Sequence, residues 1–203
     1  MNAAVGKPLP APEPLYSRLA MLQSRSPPPD GAPAWTGRPI VLVGLMGVGK
    51  STVGRRLAQR LRLPFVDADT EIEAAAGMTI AEIFERFGEP YFRDGERRVL
   101  QRLIDGSPKV IATGGGAFIN EDTRRLILQE TTAIWLEANT AVLAERVKRR
   151  DTRPLLRNRN AHEVLMELAA VRNPIYALAP IHVPSQKAPH EATVAAILKA
   201  IGR

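Results

Sequence analysis

Short apolar runs and amphipathic stretches alternate along most of this chain. A short apolar run bounded by turn-forming residues is typical of a buried strand, whereas apolar positions three or four residues apart predict a helix. Because the predicted strands are separated by helices, we expect an α/β fold in which a parallel sheet is covered by helices on both faces, with right-handed crossovers. The predicted strands are residues 40–43, 64–66, 110–113, 132–136 and 181–183.

The predicted helices differ in how clearly their ends are marked. Apolar residues recur every four positions after residue 49, which predicts an amphipathic helix to about residue 62. Thr79 and Glu82 form a capping box, in which each residue satisfies a backbone donor of the other. That helix is expected to end near residue 87, and Gly88-Glu89-Pro90 separates it from a second helix. The other predicted helices are residues 120–128, 140–148, 163–171 and 191–201, with 172–176 continuing or interrupting the third of these.

The first predicted strand runs directly into GLMGVGKST, residues 44–52, which matches G-x-x-x-x-G-K-[ST]. Its glycines let several backbone N–H groups point inward, and a helix that begins at about Gly49 adds its own N-terminal donors. A phosphate chain fits such a loop, with Lys50 on the outer phosphates and the Ser51 hydroxyl on Mg²⁺. The predicted nucleotide-binding residues of this P-loop are Gly47, Val48, Gly49, Lys50, Ser51 and Thr52.

Acidic residues and glycines follow two other predicted strands. Asp67 and Asp69 follow the second strand, and Gly114, Gly115 and Gly116 follow the third. In an open α/β sheet the carboxyl edge carries ligands, and glycines let a ligand approach backbone donors closely. We expect the fold to bring these residues to one edge together with three arginines. The arginines are Arg93, Arg153 and Arg172.

The composition limits the classes of protein that fit. The chain of 203 residues suits one domain plus a tail, and the absence of cysteine excludes disulfides, thiolate zinc sites and thiol nucleophiles. The net charge of +7 fits a nucleic acid or a small anion. The basic tract at residues 146–159 lacks interleaved aromatic residues for base stacking, and no apolar run reaches the about 18 residues of a membrane span. We therefore expect a small anionic substrate, with neither a nucleic-acid nor a membrane partner.

The first 37 residues contain eight prolines. Because proline fixes φ and lacks a backbone donor, this composition argues against a regular element. We predict a flexible tail at residues 1–37 and a folded domain at residues 38–203. The tail lacks the apolar core of a signal peptide, while its few acids weakly permit a transit peptide. We expect a cytoplasmic monomer, with an organelle stroma as the alternative location.

Six motifs occur in one order over residues 38–203, and together they make the chain resemble the shikimate kinase family. The resemblance implies a three-layer, P-loop nucleoside-monophosphate-kinase-like fold with a five-stranded sheet in the order 2-3-1-4-5. It also implies a substrate-binding insertion at about residues 69–98 and a mobile lid at about residues 149–160. The implied reaction is phosphoryl transfer from ATP, a co-substrate used with Mg²⁺, to the 3-hydroxyl of shikimate in aromatic amino-acid biosynthesis. The motifs are GLMGVGKST, FVDAD, FRDGE, TGGG, RPLL and RNPIY.

The resemblance also implies a role for each residue of the acceptor side. Asp69 looks like the carboxylate that binds the shikimate hydroxyls, and Arg93 and Arg172 look like the pair that holds its carboxylate. Gly115, with Gly114 and Gly116, looks like the backbone platform under the ring. Independent chemistry agrees, since planar guanidinium groups bind carboxylates well and a short carboxylate suits vicinal hydroxyls.

On the donor side, Arg153 looks like the lid arginine that reaches the nucleotide phosphates, and Arg149 aligns with an adenine contact. The implied catalytic residues are Lys50, Asp69 and Arg153, with Asp69 positioning the acceptor hydroxyl and able to take its proton. Asp67 is expected to hold Mg²⁺ through water, beside Ser51. The lid is expected to close over both ligands, exclude water and deliver Arg153.

Several alternatives remain open for single residues. Asp67 or Asp69 is alternatively a helix N-cap, and Arg93 or Arg172 alternatively pairs with surface acids. The three glycines alternatively form only a turn, and Arg149 alternatively lies on a solvated face. Residues 185–187 depart from commoner versions of the nucleotide-contacting stretch. His162, His182 and His190 lack metal-ligand spacing and are interpreted as structural.

Two other functions compete with the kinase interpretation. A sister small-molecule kinase, such as a gluconate kinase, would share the P-loop but not a two-arginine carboxylate clamp beside this glycine platform. A guanine-selective switch module usually carries N-K-x-D and D-x-x-G, and neither string occurs here. The identity of the substrate therefore distinguishes a sister kinase from a shikimate kinase, and the two missing strings argue against a guanine-selective switch module.

Overall fold

The computed structural model describes residues 37–140, 142–143, 160–185 and 189–203. The predicted tail, apart from residue 37, lies outside these ranges. So do the predicted lid, apart from residue 160, and with it Arg149 and Arg153. The described ranges therefore cover most of the folded domain that the sequence predicts at residues 38–203.

In the described part of the chain, five parallel strands form one sheet in the order β2-β3-β1-β4-β5, which confirms the order that the resemblance implied. β1 lies at the centre, and its four residues are 0% exposed. β2 is only half-buried, because it is an edge strand with a single neighbour, so the expectation of a buried second strand was wrong. The strands are β1 (Ile40–Val43), β2 (Phe65–Asp67), β3 (Val110–Ala112), β4 (Thr132–Glu137) and β5 (Ile181–Pro184).

Helices connect these strands. α1 packs on α6, and α2 and α4 both pack on α3. None of the helices within the described ranges combines the length and the hydrophobicity needed to cross a membrane. The helices are α1 (Lys50–Leu61), α2 (Ala68–Ala76), α3 (Ile80–Leu103), α4 (Glu121–Glu130), α5 (Ala161–Tyr176) and α6 (His190–Ala200).

Three helices differ from the prediction or refine it. α2 was not predicted, because its alanine-rich sequence shows no clear apolar stripe; it ends at Gly77, which has φ 65°. α3 contains the expected break, since Gly88 has φ 77° and ψ 174° inside it. α5 continues through Pro174 and closes its last turn beyond the proline, where the Asn173 carbonyl accepts from the Ala177 amide at 2.9 Å.

The register aligns the carboxyl ends of the strands that lead into the predicted site. Ala112 of β3 pairs with Leu42 of β1 on one side and with Asp67 of β2 on the other. Thr113 follows β3, and its buried hydroxyl donates to the Leu42 carbonyl at 3.0 Å. The segments that follow β1, β2 and β3 therefore leave the sheet at one edge.

Candidate active site

The P-loop bends at its glycines and holds Lys50 at the start of α1. Gly49 is the N-cap of α1 with φ 98°, a left-handed conformation that favours glycine. Lys50 is 8% exposed, and its Nζ donates hydrogen bonds to the carbonyl oxygens of Gly44 (2.6 Å) and Leu45 (3.0 Å). These bonds offset the cost of burying an ammonium group. A cation and a helix N-terminus therefore lie together at the phosphate-binding sequence.

The segment after β5 supports the P-loop from outside. The Ser185 hydroxyl donates to the Val48 carbonyl at 3.1 Å, and a Cβ built on Gly49 would lie 3.2 Å from Cε1 of His190. Of the stretch that departs from commoner versions, only Ser185 is described; residues 186–187 lie outside the described ranges. The bond between Ser185 and the P-loop had no signal in the sequence, because the two partners are 137 positions apart.

Gly114 and Gly116 lie against two predicted site residues on different helices. A Cβ built on Gly114 would lie 2.8 Å from Oδ1 of Asp69 and 3.0 Å from Oε1 of Glu96. A Cβ built on Gly116 would lie 2.6 Å from Cζ of Arg93. Any side chain at Gly116 would displace the guanidinium group, so this close approach requires glycine. The structure thus brings Asp69 and Arg93 to the same backbone segment.

Gly115 connects this segment to the P-loop and to α5. A Cβ built there would lie 3.4 Å from the Met46 backbone nitrogen and 3.7 Å from the Gly44 carbonyl oxygen, the atom that also accepts from Lys50. The same Cβ would lie 3.8 Å from Nη1 of Arg172. Gly114, Gly115 and Gly116, which we call the glycine platform, therefore lie close both to the P-loop backbone and to the predicted carboxylate-binding arginines.

Arg93 is held in place by two glutamates of its own helix. Its Nη1 donates to Oε2 of Glu96 at 2.6 Å, and its Nε and Nη2 donate to Oε1 of Glu89 at 3.1 and 3.0 Å. Burial by itself lowers the pKa of Arg93, but the charges and hydrogen bonds of Glu96 and Glu89 outweigh it and raise that pKa. The alternative that Arg93 pairs with surface acids therefore holds for exposed Glu89. It does not hold for Glu96, whose side chain is only 2% exposed.

Glu96 is a site residue that the sequence reasoning did not single out. Burial raises the pKa of its carboxyl, and the positive charge of Arg93 offsets this only in part. Its Oε1 has no hydrogen-bond partner within the described part of the chain and lies beside Gly114. Its place in FRDGE, three positions after Arg93, was the available signal, because residues three apart share a helix face. Its burial was not visible in the sequence.

Arg172 and Tyr176 both bind the platform from α5. Nη1 of Arg172 donates to the Gly115 carbonyl at 3.1 Å, and the Tyr176 hydroxyl donates to the same oxygen. The Tyr176 side chain is buried, and burial raises its pKa to about 12 although Arg172 acts to lower it. In the sequence Tyr176 was noted only as the last residue of the RNPIY motif. Nothing near it in the sequence indicated its contact with Gly115, which lies 61 positions away.

The two acidic residues after β2 have different structural positions. Asp67 is the N-cap of α2, with its Oδ1 accepting from the Asp69 backbone amide at 3.2 Å, so the capping alternative holds for Asp67. Asp69 lies in the first turn of α2 with its side chain at Gly114. An ion pair between Glu71 and Arg102, 3.1 Å, ties α2 to α3. The helix that carries Asp69 is therefore fixed against the helix that carries Arg93.

Ser51 and Asp67, the predicted Mg²⁺ residues, carry oxygen donors of the kind that this ion prefers. Ser51 lies in the first turn of α1, and Asp67 lies at the end of β2 with further acceptor capacity on its carboxylate. Within the described ranges, no group of three or more His, Asp or Glu side chains forms an all-protein metal site. This donor set fits a hydrated Mg²⁺ shared with a nucleotide rather than a dedicated protein cage.

Comparisons with known proteins show the family of this chain. The family model of shikimate kinase matches residues 46–202. The chain is 54% identical over 183 residues to the shikimate kinase of Zymomonas mobilis subsp. mobilis, covering 90% of this chain and 100% of that protein. It is 59% identical over 162 residues to the shikimate kinase of Caulobacter vibrioides, covering 80% of this chain and 81% of that protein.

Among solved structures, the chain is similar to the shikimate kinase from Acinetobacter baumannii in complex with shikimate, with a TM-score of 0.78 and 37% identity, covering 82% of this chain and 93% of that one. The parallel sheet in the order 2-3-1-4-5 is the nucleoside-monophosphate-kinase-like P-loop fold of those enzymes. The family model spans most of the chain, and relatives are more than half identical over at least four fifths of it. This chain belongs to the shikimate kinase family.

Proposed function

We propose that this protein transfers the γ-phosphoryl group of ATP to the 3-hydroxyl of shikimate, giving shikimate 3-phosphate and ADP. The observation that carries the proposal is the glycine platform, which lies beside Met46 of the P-loop and also beside Asp69, Arg93 and Arg172. A phosphate-binding loop and a two-arginine clamp for a carboxylate therefore share one short backbone segment. This arrangement suits a phosphoryl acceptor that carries both a carboxylate and hydroxyl groups.

The donor half consists of the P-loop and Lys50. Backbone amides of residues 47–52 and the N-terminus of α1 bind the nucleotide phosphates. Lys50, now hydrogen-bonded to Gly44 and Leu45, moves its ammonium group onto the outer phosphates, where charge builds up during transfer. The predicted contacts of Arg149 and Arg153 complete this half from the lid at residues 149–160.

The acceptor half orients the hydroxyl that becomes phosphorylated. Arg93 and Arg172 each offer a planar fork to the shikimate carboxylate, and Glu96 keeps the guanidinium of Arg93 in place. Asp69 accepts a hydrogen bond from the 3-hydroxyl and takes its proton as the oxygen bonds to the γ-phosphorus. The bond from that phosphorus to the β–γ bridging oxygen breaks, and ADP leaves with those electrons.

Mg²⁺ completes the proposal as the metal of the nucleotide. Ser51 would hold it directly and Asp67 through water, as the oxygen donors at these positions permit. When bound, the ion neutralises charge on the β- and γ-phosphates. We retain four further expectations for this protein. They are a substrate-binding insertion at residues 69–98, a tail at residues 1–37, a monomeric state and a cytoplasmic location.

A substrate panel tests the proposed function. We expect ADP release from ATP to appear on addition of shikimate and to be absent with gluconate or with nucleoside monophosphates. Chelation of Mg²⁺ should abolish the release, and Asp69→Asn should impair turnover while leaving ATP binding mostly intact. A protein that releases ADP with gluconate and not with shikimate would be a sister kinase.

Gly116→Ala is predicted to raise the KM for shikimate at least about tenfold, because the new methyl group displaces the Arg93 guanidinium and small misplacements at a reacting complex are costly. The KM for ATP should change less than about twofold. Gly106→Ala is the matched control, since a Cβ there meets nothing within 4 Å and the backbone has φ 83°. It should cost stability without changing either KM. Equal changes in both KM values for Gly116→Ala would contradict the assignment of Arg93.

A further inference from the structure

We propose that Tyr176 is a positioning residue that holds the glycine platform through the Gly115 carbonyl, so that Arg172 can leave that carbonyl for the substrate carboxylate. The inference rests on the proposed function for the identity of the carboxylate. In this proposal Arg172 exchanges the Gly115 carbonyl for the substrate carboxylate, whereas Tyr176 stays bound to the Gly115 carbonyl throughout.

The starting observation is that one carbonyl oxygen accepts two hydrogen bonds. Both donors, Nη1 of Arg172 and the hydroxyl of Tyr176, lie on α5 four residues apart, on one face of the helix. A carbonyl oxygen has two lone pairs and can accept both. The same glycine lies against Met46 of the P-loop. A change at this oxygen therefore affects the boundary between the donor and acceptor halves.

The two donors differ in how firmly they are held. Tyr176 is 1% exposed, and the centroid of its ring lies 6.4 Å from that of Phe118 and 6.2 Å from that of Trp135. A tyrosine hydroxyl is a donor at neutral pH even with its ordinary pKa of 10.0, and burial raises the pKa of Tyr176 further, to about 12. Arg172 is half-buried and carries a long side chain that can reorient. Tyr176 is the fixed donor and Arg172 the exchangeable one.

Tyr176 lowers the cost of this exchange, because it stays on the Gly115 carbonyl when Arg172 leaves. A guanidinium binds a carboxylate more strongly than it binds a neutral carbonyl, so substrate draws Arg172 away from Gly115. Without a second donor, the partly buried carbonyl would lose its partner and the substrate would have to offset that cost. With the tyrosine hydroxyl in place, the carbonyl keeps one bond and the platform keeps its shape.

Tyr176→Phe tests this role, because it removes the hydroxyl and retains the ring. Thr131→Val is the matched control, since Thr131 is also buried and its hydroxyl also donates to a backbone carbonyl, that of Ile127 at 2.6 Å. For Tyr176→Phe we expect the Kd of shikimate, measured by calorimetry without nucleotide, and the KM for shikimate to rise roughly three- to tenfold. We expect kcat and the KM for ATP to change less than about twofold, as for a loss of uniform substrate binding.

A second measurement needs no ligand. Of the two donors to the Gly115 carbonyl in the described ranges, Tyr176→Phe leaves only the reorientable Arg172. Amide hydrogen exchange in residues 113–119 of the free protein should therefore become about tenfold faster in Tyr176→Phe and stay unchanged in Thr131→Val. Unchanged exchange, or a shikimate Kd equal to that of the control variant, would overturn the proposal. Absence of shikimate turnover by the unmodified protein would instead overturn the proposed function and, with it, the release of Arg172. The exchange comparison would still decide whether Tyr176 holds the platform.

Discussion

We expect Lys50→Met to lower kcat/KM for phosphoryl transfer to shikimate about a thousandfold in a protein that still folds. The variant removes the P-loop cation that stabilises charge on the transferred phosphoryl group, and losses of one such group cost about 10² to 10³ in rate. It also removes donors from the Gly44 and Leu45 carbonyls, which should cost about 1–2 kcal/mol of unfolding free energy. A coupled ADP-release assay and urea unfolding measure the two effects separately.

Lys109→Met is the matched control for that variant. Lys109 is also mostly buried, with a side chain 13% exposed, and its Nζ pairs with Asp105 at 2.8 Å. It lies just before β3, at the amino end of the sheet, whereas the P-loop lies at the carboxyl end. Its loss should leave kcat/KM within about twofold. If both lysine variants lose activity in proportion to their stability, Lys50 does not act on the phosphoryl group.

Arg93→Ala is expected to combine a large loss of stability with a large loss of shikimate affinity. Glu96, with a side chain 2% exposed, would lose its cation, and breaking a buried pair in this way costs about 3 kcal/mol. The KM for shikimate should rise roughly 10- to 100-fold, because a charged hydrogen-bond partner of the carboxylate is gone. The KM for ATP should stay within about threefold. Equilibrium unfolding and steady-state kinetics give these quantities.

The double variant Arg93→Ala/Glu96→Gln separates the two losses. Glutamine carries no charge, so the double variant should regain about half or more of the lost stability. Its KM for shikimate should remain as high as in Arg93→Ala. A double variant that regains shikimate affinity along with stability would show that Arg93 acts only on the fold.

The stability loss of Arg93→Ala should also depend on pH in one direction. Burial raises the pKa of Glu96 in the folded protein above the ordinary value of 4.5, and removing Arg93 raises it further. The folded state then binds the proton more tightly than the unfolded state, so stability falls as pH rises through the folded-state pKa. The deficit relative to the parent protein should be larger at about pH 8 than at about pH 5. The double variant should lose this dependence.

The element order of the fold followed from the sequence because each strand and helix carries a local pattern. The P-loop, the capping box at Thr79 and the break at Gly88 are set by residues within a few positions of one another, and all three appear in the structure. α2 escaped prediction because its alanines suit a helix without forming a marked stripe. The half-buried state of β2 depends on its edge position and therefore on the strand order. Periodicity cannot supply that order; only the resemblance did.

The residues of the candidate site also fall into two groups, those that motifs predicted and those that only the structure revealed. Lys50, Asp69, Arg93, Arg172 and the three glycines were named from motifs, and the structure brings all of them together. Glu96 and Tyr176 were not singled out, because their importance depends on burial and on a partner from another element. Glutamate and tyrosine both occur commonly on protein surfaces, so the residue type alone carried no information about burial.

By itself the sequence determined that this protein has a P-loop on a parallel α/β sheet and the motifs that make it resemble the shikimate kinase family. Those features depend on short motifs, whose chemistry is complete within a few residues. Only the tertiary structure decided that the glycine platform lies beside the P-loop and both arginines, that Arg93 pairs with a buried carboxylate, and that Tyr176 shares an acceptor with Arg172. These contacts join residues brought together by strand register and helix packing, which depend on the whole chain at once.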